Sequence, residues 1–120
     1  MKLNETHLND PYSNTITKLA ATGNNEIIIN SPLLESYLRK NYPNYKFISS
    51  TTKCLLDNEK IEEEAKNYYL TVLDYRKNTD IEFLSNLEHP EKYELLINAY
   101  CNPNCPNRAK HYAAISEFQL

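Results

Sequence analysis

The chain has 120 residues, 41% of them hydrophobic and 24% charged, with a formal net charge of −3. This length suits one domain with its own core, the composition excludes a disordered chain, and the acidic balance excludes a broad nucleic-acid footprint beyond a local basic patch at Arg108 and Lys110. The first dozen residues are too polar for a secretory h-region, no apolar run reaches the roughly 18–20 residues of a membrane span, and three cysteines do not suit a secreted disulfide framework. A reducing compartment, the cytoplasm, is the expectation.

In chain order, residues 1–24 read as an N-terminal helical segment. Ile16, Leu19 and Ala20 mark a helix over about 12–22, with Gly23 as its C-terminal stop. Residues 25–100 read as strand–helix repeats. Four short apolar runs, EIIIN at 26–30, KFISS at 46–50, YLTVLD at 69–74 and YELLIN at 93–98, recur at near-equal intervals. Each is almost continuously apolar, as expected of strands covered on both faces. Ser31 and Pro32 cap a helix with Leu33, Leu34, Tyr37 and Leu38 on its apolar stripe, ended by Tyr42-Pro43. Asp57 or Asn58 caps the next, which buries Ile61, Ala65 and Tyr68. Thr79 and Glu82 read as a capping box for a third helix with Ile81, Phe83, Leu84 and Leu87 toward the core, ended by His89-Pro90. Residues 101–120 form a proline-broken cysteine loop and a helix over 107–118.

The fold class is therefore α/β, with about four parallel strands alternating with helices. The short, even crossovers favour sequential strand order, half of a (β/α)8 barrel with one sheet face uncovered. A small open, doubly wound sheet such as 2-1-3-4 is the alternative.

In either architecture ligands sit at the carboxyl ends of the strands, where this sequence turns polar four times over. Its single glycine, Gly23, excludes the phosphate loop and the dinucleotide fingerprint, which both need several. Beyond the third strand, Asp74 is a candidate general base, Arg76 a bidentate anion holder and Asn78 a neighbouring amide. A surface Asp74–Arg76 pair with a capping Asn78 is the plain alternative. Lys53 and Arg108 are candidate anion contacts, Arg108 at the start of the last helix. Cys101, Cys105 and His111, with Cys54 from the second strand end, are candidate ligands for zinc or an iron–sulfur cluster. Packed free cysteines are the competing reading.

The stretch 27–116 resembles the strand–helix portion of the U32 collagenase-like peptidases and related β/α-barrel proteins. The likeness rests on Asn30-Ser31-Pro32, on Ile48-Ser49-Ser50-Thr51, and on Glu94-Leu95-Leu96-Ile97-Asn98 leading into Cys101-x3-Cys105-Pro106-x-Arg108-x2-His111-Tyr112. It implies a barrel fold and, in cluster-binding members, iron–sulfur chemistry in RNA or cofactor modification. This chain has only three cysteines, lacks the third cysteine of a Cx3Cx2C motif (position 108 is arginine), and has about half the length of a full barrel. The expectation is a shortened or partial barrel protein acting on RNA, a peptide or a small anionic substrate. The alternative is a non-catalytic interaction or inhibitor module that docks a homodimer mate or larger protein through its sheet face or tyrosine-rich surface.

Overall fold

The computed structural model describes residues 3–99, 101–102 and 104–118. Two helices precede the sheet. The short α1 (Glu5–Leu8), not foreseen from sequence, is closed by a capping box between Asn4 and His7; α2 (Pro11–Ala20) starts at an Asp10 cap with proline in its first turn. Gly23 does not end α2 directly, since Ala21 occupies the C-cap. It takes a left-handed φ of 86° in the turn toward β1 (Glu26–Ile29).

Beyond β1 the chain alternates: α3 (Pro32–Asn41), β2 (Lys46–Ser49), α4 (Asn58–Asn67), β3 (Leu70–Val72), α5 (Ile81–Ser85), β4 (Tyr93–Glu94) and finally α6 (Arg108–Phe118). Single 3-10 turns follow β2 at Thr51–Lys53 and β3 at Tyr75–Thr79, and another, Pro90–Lys92, leads into β4. The strands form one parallel sheet in the order β1-β2-β3-β4, which does not close into a barrel. Sequential order with right-handed crossovers puts the connecting helices on one face, so the doubly wound alternative falls away.

Two apolar clusters lie under those helices. Ile29, Leu38, Tyr45, Phe47 and Tyr68 join β1 and β2 to α3; Ile61, Leu73 and Phe83 join β3 to α4 and α5. Fully burying a side chain such as Ile29, Ile61 or Leu73 contributes roughly 1.5–3 kcal/mol. Along β1 the alternate residue Ile28 points to the other face and is mostly exposed.

The helix caps at Ser31 and Asp57 form as read from sequence. The third helix differs. Asp80, not Thr79, is its cap, accepting from the Phe83 amide, because residues through Thr79 close into a 3-10 turn. The helix is one turn long, ends before His89-Pro90, and exposes Ile81 while burying Phe83. The fourth strand is also shorter than its apolar run. Only Tyr93 and Glu94 pair with β3, after which the Asn78 side-chain amide donates to the Leu96 carbonyl at 3.0 Å in place of a ladder bond.

Candidate anion site at the strand ends

The end of β3 and the start of α6 meet at Asp74. Its side chain is fully buried, and it caps the following turn by accepting from the Arg76 amide at 3.0 Å. Arg76 then folds back on it bidentately, Nε to Oδ1 at 2.8 Å and Nη2 to Oδ2 at 3.0 Å. Arg108 approaches from the other side, Nε to Oδ2 at 3.0 Å. Burial pushes the Asp74 carboxyl up, but hydrogen bonds from Arg76 and the charge of Arg108 outweigh it and hold the group below the usual carboxylate range. This anchored carboxylate is enclosed by its own cations, so a general-base role does not fit Asp74. Nor is the Asp74–Arg76 pair a surface feature.

Arg108 is the unusual member. It is 3% exposed, with its guanidinium 4.3 Å from the Tyr75 ring centre and 5.1 Å from that of Tyr112. A guanidinium this close to aromatic rings gains a favourable cation–π attraction. Yet among the described residues its Nε and Nη2 have no hydrogen-bond partner: the Nε lies within ion-pair distance of Asp74 without aiming its N–H at the carboxylate. Such unmade bonds on a buried cation are costly. Two guanidiniums share one carboxylate here, leaving an excess positive charge.

Arg108 also forms part of the wall of a cleft of about 570 Å³, together with Leu96, Asn98, Cys101, Cys105, His111 and Tyr112. Burial raises the Cys101 thiol, but the Tyr75 hydroxyl and Arg108 beside it outweigh that effect and draw the thiol below its ordinary value; Cys105 also touches it. Tyr75 additionally donates to the Asn102 carbonyl, tying the cysteine loop to the turn after β3.

Other expected site residues are placed elsewhere. Asn78 is not a cap; it clips its turn to the segment after β4. Lys53, expected as an anion contact, donates instead to Glu64 at 2.5 Å and to the Tyr68 hydroxyl at 2.7 Å. Tyr68 in turn donates to Glu35, and Ser49 donates to Glu64 at 2.6 Å, so a closed network joins β2, α3 and α4. Sequence gave no sign of it, because its members lie on separate elements. Cys54 sits in a left-handed turn at φ 55° and faces Asp74; burial and that carboxylate raise its thiol. Cys101, Cys105 and His111 do line one cleft, whereas Cys54 is not among its lining residues and sits against Asp74. Among the described residues no three His, Cys, Asp or Glu side chains group as a metal site. No helix among the described residues is long and apolar enough to cross a membrane.

Tyr75 and Tyr112, whose rings lie beside the Arg108 guanidinium, are members of this cluster that sequence reasoning passed over. The available signal was position: Tyr75 follows the strand-end acid, and Tyr112 lies one helical turn beyond Arg108. Comparison with family models, with curated proteins and with solved structures finds no match, so the likeness to U32-type proteins rests on the residues of this chain alone.

Proposed function

We propose that this chain binds the anionic group of a small ligand, a carboxylate or phosphate, in the cleft beside α6, with Arg108 as the recognising cation. The observation that carries the reading is the buried guanidinium in the wall of that cleft: among the described residues its Nη2 has no hydrogen-bond partner and its Nε meets, as an ion pair, only the Asp74 carboxylate, which Arg76 already holds bidentately. A planar fork of donors suits a planar or tetrahedral oxyanion. Leu96, Tyr112 and Ile115 supply apolar contact for the remainder of the ligand. Of the three substrate classes anticipated for a partial β/α-barrel protein, the small anion is the one this geometry favours. A catalytic step is not part of the reading.

Titration calorimetry with inorganic phosphate and with a series of small carboxylates tests it. Saturable binding that weakens roughly tenfold or more in Arg108→Lys, which keeps the charge and loses the fork, is the expected result. Failure of every anion to bind, or equal binding by the variant, would sink the proposal.

A further inference from the structure

We propose that two copies of this chain associate edge to edge, the β1 side of one against the β4 side of the other, so that their parallel sheets continue into one another. The inference is independent of the anion site.

The first support is surface area. A folded monomer of 14.0 kDa should expose about 6,700 Å², whereas this chain exposes 8560 Å². Its radius of gyration is 15.6 Å, against about 13.6 Å for a compact domain of this length. The surplus, about 1,900 Å², exceeds the ~800 Å² per partner of a standard interface and matches the larger interfaces of obligate homodimers.

The second support is where apolar surface lies. On α2, Tyr12, Ile16 and Leu19 are exposed, Ile16 to 68%. At about 100° per residue they fall opposite Asn14, Thr17 and Ala21, the residues through which α2 meets Tyr37, Tyr45 and the first core cluster. The helix thus packs by its more polar side and leaves its apolar stripe outward, and on β1 Ile28 is 62% exposed on the sheet face away from the helices. At the far edge Leu95 and Ile97 follow β4, Ile97 at 90% exposed.

The third support is the sheet itself. Among the described residues β1 pairs only with β2 and β4 only with β3, so both outer edges present unpaired backbone. An unpaired sheet edge is a ready template for pairing with another chain. A second copy fits better than an unrelated partner, because each edge needs a parallel neighbour flanked by apolar side chains and the other edge of the same chain supplies one. A two-fold axis then satisfies both edges in one closed assembly.

Sedimentation velocity of the full chain, alongside Ile16→Glu and Ile97→Glu, tests the proposal. The wild type should run as a dimer at about 10 μM. Each glutamate, placed at a dry contact, should weaken the dimer roughly 100-fold or more with an unchanged far-ultraviolet circular dichroism spectrum. Ile16→Ser and Ile97→Ser repeat the test in milder form should either glutamate disturb folding. A wild-type monomer at about 100 μM, a dimer indifferent to both positions, or an open-ended series of larger species would each overturn it.

Discussion

The Asp74 carboxylate and the Arg108 guanidinium meet at 3.0 Å, both almost wholly buried, and so fasten the last helix to the end of the third strand. Arg76 completes the cluster, and Cys54, Tyr75, Cys101 and Tyr112 surround it. The chemistry of the strand-end face follows from that arrangement, and so do the following expectations.

Removing the shared carboxylate should be severe. Asp74→Asn leaves Arg76 and Arg108 facing each other without their common anion, and breaking a buried ion pair in this way costs about 3–5 kcal/mol. Urea unfolding of the variant should show a midpoint well below that of the wild type. A change under about 1 kcal/mol would mean that the cluster is well hydrated in solution.

Acid should act through the same group. Asp74 has its carboxyl held below the ordinary value, so its stabilising contribution is full above the unfolded-state pKa, about 3.9 for aspartate, and is lost as pH falls through the lower folded-state value. Stability measured from pH 6 to about pH 2 should therefore fall more steeply in the wild type than in Asp74→Asn. Parallel curves would assign acid sensitivity to other carboxylates.

The three thiols should differ in reactivity. Burial and Asp74 raise Cys54, whereas Tyr75 and Arg108 outweigh burial at Cys101 and lower it. Iodoacetamide near neutral pH, followed by peptide mass spectrometry, should label Cys101 before Cys54, by a factor of roughly ten. Arg108→Met should narrow that gap. Equal labelling in the wild type would contradict the charge arrangement around Cys101.

Metal content provides a separate check. Since no three donors group among the described residues, protein purified without oxygen should carry well under one equivalent of zinc or iron. The paired variant Cys101→Ser/Cys105→Ser should show the same trace content. Near-stoichiometric metal that disappears in that variant would restore the cysteine loop as a metal centre.

Sequence patterns disclosed the local structure well where one short segment decides the outcome. Ser31 and Asp57 cap helices as their spacing predicts, and the near-even apolar runs mark all four strands, while the strand order, open between sequential and doubly wound from the sequence, is sequential in the structure. Where two segments compete, pattern was a weaker guide: a turn ending at Thr79 displaced the cap to Asp80 and shortened the helix after it. Solvent exposure was harder still. The stripe of Ile16 and Leu19 has the spacing of a buried face, yet it points outward, because Asn14 and Thr17 bond to the tyrosines of neighbouring elements. At the site, the Asp74–Arg76 pair was legible from adjacency, whereas its burial depends on Arg108, which arrives from a distant helix. Lys53 shows the same limit, since its partners Glu64 and Tyr68 lie beyond any local motif.

The sequential pairing of strands has a consequence for synthesis. Each strand pairs with the one made just before it, Glu26 with Lys46, Ile48 with Leu70, Thr71 with Tyr93, so every pairing closes a similarly short loop. The sheet can assemble in the direction in which the ribosome delivers it, one strand at a time. Throughout that interval Asp74 already has Arg76 as a near neighbour in the chain, so the nascent sheet never holds a lone buried charge while it waits for Arg108.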